Sequence, residues 1–403
     1  MKIRSATAQD HDLFVDTFLT AFGRFPETWG GGRPLWAAFE MDRCLFAEAE
    51  DGRPVGTAGA YSFELTLPGD VIVPVAGVSG VGVLPSHRRQ GVLTALMRHQ
   101  LEAVRDRGEY LSVLLASEAV IYRRFGYGPA THSRWLTVTR QKAAFTPPRG
   151  SQDTPVTGSV DVLRRADCVE ILEEVYDRCR RATPGAVSRP HHWWAKGAGQ
   201  PPVAETPRYL AVHRDADGTP DGYASYAMTD RDTLTVDEVV AVEDGVVTDL
   251  ARFLLGHDLV GDVVFKHFPP EHPLRWQLTD YRASEVSKDS DWLWVRVLDV
   301  PRALTARGWF ADGELVLDVD DPFLGERGRW LLTVRDGKAV CEATDRAPDL
   351  SLDVSDLGSV YLGGTTPSTL VRAGRVQAHR PDAADRADAL FRTERAPHCL
   401  HWF

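Results

Sequence analysis

The sequence predicts a mixed α/β (α+β) fold in three parts: two tandem α/β domains followed by a smaller α+β domain. Three observations lead there. Residues 78–116 read as a strand, a basic glycine turn, a helix and a second strand. The run Asp51-Gly-Arg-Pro-Val-Gly-Thr-Ala-Gly-Ala60 is echoed by Asp217-Gly-Thr-Pro-Asp-Gly-Tyr-Ala-Ser-Tyr226, each lying between strand-like runs. From Asp291 the texture changes to short strands, with a hairpin turn at Asp336-Gly337, closed by a helix over 382–391. A chain of 403 residues is also too long for one simple core. The expected boundaries are 1–145, 156–290 and 291–403, with the Pro- and Gly-containing residues 146–155 as a linker.

In chain order, residues 3–6 read as a strand, and Thr7 or Asp10 can cap a helix whose Phe14, Phe18 and Phe22 share one face. Residues 23–34 are turn-rich and 35–39 resume helical spacing. Phe25 and Trp36 there could stack on a substrate or pack inside, and we read them as core. Residues 44–49, 55–67 and 71–83 are strands, turned at Asp51-Gly52 and Pro68-Gly69-Asp70. They deliver the chain to His87-Arg88-Arg89-Gln90-Gly91. Val92, Leu93, Leu96 and Met97 then recur at helical spacing, and the helix ends before Gly108. The free amides and positive dipole end of that helix make an anion seat, and Arg88 and Arg89 add charge-assisted bonds to phosphate. The turn is not a Walker loop, because no Gly-Lys-Ser/Thr follows, and not a dinucleotide fingerprint, because the three-glycine spacing is absent. Residues 110–116 form a buried strand that must run parallel to 78–83, since a helix joins them.

Composition narrows the function classes. Apolar content of 43% is ordinary for a globular protein. Lys+Arg of 46 against Asp+Glu of 57 leaves a net charge of −11, which disfavours nucleic acid and suits a cationic substrate. Acidity that only keeps the protein soluble is an equal alternative. No apolar run is long enough for a bilayer, and residues 1–7 lack the apolar stretch of a signal peptide, so we expect no membrane partner and a cytoplasmic location. Cys44, Cys168, Cys179, Cys341 and Cys399 are scattered and free of C-x-x-C, as reduced thiols are. No metal is expected. His398, Cys399 and His401 are three ligand types within four residues, which rarely share one ion.

Arg88-Arg89-Gln90-Gly91-Val92-Leu93 resembles motif A of the GNAT acyl-CoA N-acetyltransferases, Arg/Gln-x-x-Gly-x-Gly/Ala, with Leu93 in place of the last small residue. Ser117-Glu-Ala-Val-Ile-Tyr122-Arg-Arg-Phe-Gly126-Tyr127-Gly-Pro129 resembles the family's next element, a short helix carrying Tyr-x-x-x-Gly-Phe. The run 117–131 and the aromatic end Leu400-His-Trp402-Phe403 resemble the enhanced intracellular survival (Eis) family, and this resemblance spans the whole chain.

The resemblance implies two tandem GNAT-like domains plus a sterol-carrier-like domain, acetyl-CoA as acetyl donor, and a homo-oligomer, a hexamer. It implies that Val81, Gly82 and Val83 pair with the pantetheine arm where two strands splay. Arg89, Gln90, Gly91, Val92, Leu93 and Thr94 would hold the diphosphate, and Ser117 and Glu118 would also meet CoA. Tyr122 would be the general acid, a phenol of pKa about 10 donating to a thiolate of about 8.5. Residues 71–84 carry no carboxylate to serve as base. The resemblance supplies instead the main-chain carboxylate of Phe403, and burial, which Leu400, Trp402 and Phe403 invite, would raise its pKa. The implied acceptor is a small-molecule amine of the aminoglycoside kind, with peptide lysines as the alternative. Gly80 lacks the aromatic ring expected of the acceptor pocket. The second copy has Glu243-Asp244 in place of an arginine seat and is expected not to bind CoA. A lipid-binding or interaction protein retaining only the GNAT shell is the contrasting reading.

Overall fold

Alternation of large and small apolar residues along two long strands builds the first sheet. The computed structural model describes residues 1–24, 38–150, 158–195, 197, 199 and 207–403, so Phe25 and Trp36 lie outside the described residues. The chain divides into two units: residues 1–131, 292–397 and Phe403 form one, and residues 132–291 with 398–402 form the other.

In the first unit, β1 (Lys2–Ser5), β2 (Leu45–Glu48), β3 (Pro54–Leu67), β4 (Val71–Val83) and β5 (Leu111–Leu115) follow one another across the sheet. The strand Leu293–Val297 comes next, and β6 (Gly128–Pro129) closes the edge. Helix α1 (His11–Ala21) starts where the Asp10 carboxylate accepts from the Thr7 amide at 2.8 Å and the Thr7 hydroxyl at 2.9 Å. Phe14 of α1 packs over Gly59. Helix α2 (Val92–Asp106) covers the opposite face, setting Val92, Leu96 and Met97 against Ala58, Ala60, Ala76 and Val78. The two faces follow from the period of two along β3. A short helix, α3 (Ala119–Tyr122), follows β5.

The second unit repeats this plan. Its strands are β7 (His132–Thr139), β8 (Ser159–Leu163), β9 (Tyr209–Arg214), β10 (Pro220–Met228), β11 (Thr233–Ala241), β12 (Asp262–Phe268) and β13 (Ser284–Asp291). They are ordered β13-β7-β12-β11-β10-β9-β8. Helices α4 (Val169–Arg181) and α5 (His191–Ala195) precede β9, and α6 (Asp244–Leu255) joins β11 to the parallel β12. The echoed Asp-Gly runs therefore occupy the same place, the β2–β3 and β9–β10 turns. A feature with no signature in sequence order is an exchange. Leu293–Val297 inserts between β5 and β6 of the first sheet, while β7 inserts between β12 and β13 of the second.

The open end of the second sheet is filled by ion pairs. β11 and β12 stop pairing at Val236 and Phe265. Just beyond, Asp237 accepts from Lys266 at 3.1 Å, and Glu238 accepts from both Arg189 nitrogens at 2.8 and 3.2 Å and from the Tyr223 hydroxyl at 2.9 Å. Arg189 lies 4.1 Å from the Tyr176 ring centre, and its Nε donates to His401 Nδ1 at 3.1 Å.

The rest of the first unit continues from β14, the inserted strand Leu293–Val297. Strands β15 (Gly313–Asp321), β16 (Glu326–Arg335), β17 (Lys338–Ala343), β18 (Leu350–Asp353) and β19 (Gln377–Ala378) form a sheet ordered β17-β16-β15-β18-β19. Helices α7 (Val354–Tyr361) and α8 (Ala383–Phe391) accompany it. All five cysteines are free thiols. No helix among the described residues is long and apolar enough to cross a membrane.

Candidate functional site

The site begins with a fault in β4. Gly59 faces Ser79 and Thr57 faces Gly82, so Gly80 and Val81 stand together opposite Ala58. Such a bulge needs an unusual backbone, and Gly80 adopts φ +62°. The Thr57 hydroxyl donates to the Gly80 carbonyl at 2.8 Å and pins it. A Cβ on Gly80 would lie 2.9 Å from the Phe39 ring and 3.0 Å from Phe14. Both rings are buried and leave no room for a side chain at this position. β4 pairs with the parallel β5 only over Ala76–Val78. Beyond Ser79 the β5-side edge of β4 has no neighbouring strand among the described residues, which leaves Val81–Val83 open on that side to an extended ligand.

Next comes the turn. Arg89 has φ +62° and Gly91 φ +81°, so the chain coils tightly before entering α2. Among the described residues no side chain caps α2. Among the described residues the amides of 89–94 have no hydrogen-bond acceptor, and the space where a Gly91 Cβ would stand is open. Arg89 is exposed and forms no ion pair among the described residues. Arg88 lines the same space, and its guanidinium donates to the Ala21 carbonyl at 2.8 Å, which ties the turn to α1. The Gln90 amide turns back to the Ser86 carbonyl at 3.3 Å.

Tyr122 is the last residue of α3 and is 7% exposed. Burial raises its pKa above the ordinary phenol value, with Ser117 pulling the other way and Glu118 adding to the rise. Its ring meets Tyr127 edge-on at 6.2 Å. Tyr127 is fully buried, its hydroxyl 2.8 Å from that of Ser112.

These pieces enclose a cavity of about 710 Å³. Of the residues expected to serve the site, Val81, Gly82, Val83, Arg89, Gly91, Val92, Leu93, Thr94, Ser117, Glu118 and Tyr122 line it, and Gln90 and Phe403 do not. Sequence reasoning missed Ala21 and Gly23 at the end of α1, and Arg124, two residues beyond Tyr122. Arg88, Arg89 and Arg124 with His87 outnumber the lone carboxylate of Glu118, so the lining of an acidic chain is basic and suits an anion. Open strand edge, uncapped helix start and basic rim together fit an acyl-CoA: edge amides for an amide-bearing arm, free helix amides for a diphosphate.

Phe403 is 7% exposed. Its ring meets Phe63 edge-on at 5.0 Å and lies over Gly77, where a Cβ would stand 3.3 Å away. It ends a row of rings running Phe14–Phe39 at 4.9 Å, Phe39–Tyr61 stacked at 5.2 Å and Tyr61–Phe63 at 5.7 Å.

The chain is similar to known proteins along its length. Residues 2–130 and 185–297 each match an acetyltransferase (GNAT) domain family, and residues 300–400 match a sterol carrier protein domain family. N-acetyltransferase Eis of Mycobacterium tuberculosis is 36% identical over 84% of this chain and 83% of that protein. An uncharacterized N-acetyltransferase of Streptomyces griseus is 36% identical over 87% of each. The crystal structure of Eis1 from Mycobacterium abscessus superposes with a TM-score of 0.85 at 35% identity, covering 100% of both chains. A GCN5-related N-acetyltransferase from Anabaena variabilis shares the fold, with a TM-score of 0.84 at 21% identity. The chain belongs to the Eis family of GNAT N-acetyltransferases, and it transfers acetyl groups from acetyl-CoA to amines.

Proposed function

We propose that the acceptors are small polycationic amines of the aminoglycoside kind, and that Tyr122 and the Phe403 carboxylate are the general acid and base. Acetyl-CoA supplies the thioester and a thiol leaving group. Arg89 and the amides of 89–94 hold the diphosphate, Val81–Val83 offer main-chain partners to the arm, and Ser117 and Glu118 flank it. The Phe403 carboxylate takes a proton from the acceptor's ammonium, the freed amine attacks the thioester carbonyl, and Tyr122 gives a proton to the departing sulfur. The observation that carries this reading is a single cavity gathering an open strand edge, an uncapped helix start and a buried tyrosine. The net charge of −11 suits a cationic acceptor. In this division residues 1–145 do the chemistry, 156–290 bind no CoA, since Lys266, Arg189 and their carboxylates fill the gap an arm would need, and 291–403 bring the tail. The protein would work in the cytoplasm as a hexamer, which equilibrium sedimentation checks.

A thiol-release screen with acetyl-CoA tests the proposal, using aminoglycosides, linear polyamines and lysine peptides as acceptors. The expected result is turnover with the first class. Turnover with lysine peptides alone would move the substrate class. The same screen on a chain extended by a few residues past Phe403 should lose about a hundredfold or more in kcat while acetyl-CoA still binds. An extended chain of full activity removes the base from Phe403.

A further inference from the structure

A four-residue helix cannot hold a side chain in place by itself. Yet Tyr122 ends one, and between it and the two-residue strand β6 the chain makes a single turn over Arg123–Phe125. What fixes it comes from far along the sequence. The Arg123 guanidinium donates to the carboxylate of Asp356, on the buried helix α7, and Asp356 is 1% exposed. Arg375 approaches the same oxygen at 3.4 Å, and the other carboxylate oxygen has no hydrogen-bond partner among the described residues. The contact is close all along the segment. A Cβ on Gly128 would sit 1.8 Å from the Ser355 carbonyl oxygen, and one on Gly358 would sit 2.3 Å from that of Val295. Phe125 meets Phe323 edge-on at 5.0 Å. The tyrosine segment thus rests on residues of the sterol-carrier-like part.

We infer that Asp356 is a positioning residue for acetyl transfer: through Arg123 it holds the Tyr122 segment so that the phenol faces the cavity. The sterol-carrier-like part is then a working component of the acid site. A buried carboxylate sharing one oxygen between two arginines sets a direction for Arg123, and Arg123 is the residue next to Tyr122 in the chain. This inference rests on Tyr122 being the general acid.

The test is a set of single and double variants in the full-length protein: Asp356→Asn, Arg123→Gln, Tyr122→Phe, and Asp356→Asn combined with each of the other two. Asp356→Asn and Arg123→Gln should each lower kcat about tenfold, with KM for acetyl-CoA within about twofold. The Asp356–Arg123 double should be no worse than either single, because the two act as one unit. In the Tyr122→Phe background, Asp356→Asn should cost nothing more. Additive losses in either double, or a change confined to KM, would overturn the positioning role. Arg123 is one-third exposed, so its variant keeps the test available if Asp356→Asn folds poorly. If Tyr122→Phe turns over like wild type, the acid assignment fails instead. If Tyr122→Phe is impaired while Asp356→Asn is not, only the present inference fails.

Discussion

Two tyrosines five residues apart have been given different environments. Tyr127 spends its hydroxyl on Ser112 and sees no cavity. Tyr122 is also buried, but it lines the cavity. Burial favours the neutral phenol of both, so Tyr122 carries its proton at neutral pH and can give it only to a base that forms beside it. A Tyr122→Phe chain should therefore keep its acetyl-CoA affinity and lose between about 10²- and 10⁴-fold in kcat, read by titration calorimetry and steady-state rates. Unchanged kcat would leave the phenol a packing residue. At the same scale, the left-handed backbone at Arg89 places local strain at the cavity lining.

Among the elements, the two strand–helix–strand units diverge at one point. In the first, the gap beyond the paired strands is lined by free amides and arginines. In the second, Asp237 and Glu238 bring their own cations. Arg189 is wholly enclosed, with Glu238, Tyr176 and His401 around it, and the carboxylate holds it charged against the cost of burial. Arg189→Met should leave Glu238 buried and unpaired and lower stability by about 3–5 kcal/mol, measured by urea unfolding. A variant as stable as wild type would mean the pair contributes nothing. This also marks what was legible beforehand. The anion turn could be read because its chemistry is local: two arginines, a glycine and a helix start within six residues. The repeat could be read at its Asp-Gly turns for the same reason. The Arg189–His401 bond and the strand exchange could not, since each joins residues far apart in the chain and neither leaves a periodic trace. The Arg88 bond to the Ala21 carbonyl was likewise invisible, since it joins residues 67 positions apart.

For the molecule as a whole, acid is the expected weakness. His267 and His398 are pulled down to about 4, and His401 further, chiefly by burial. Unfolded histidines bind protons near pH 6.5. Below that pH the unfolded chain takes up protons that these folded residues refuse, so their contribution to stability is complete above about 6.5 and shrinks as pH falls toward 4. The melting temperature should drop steadily across that window. A flat profile between pH 7 and 4.5 would show that the three rings titrate alike in both states.

The exchanged strands bear on synthesis as well. A ribosome that has delivered 290 residues has made β5 but not the strand that lies beside it. Until Val297 emerges, the outer rim of β5 is a bare row of amides and carbonyls, the kind of surface that recruits stray chains. Gene fragments ending before that point would yield a sticky intermediate rather than a smaller enzyme, which favours inheritance of the tandem copies as one indivisible length.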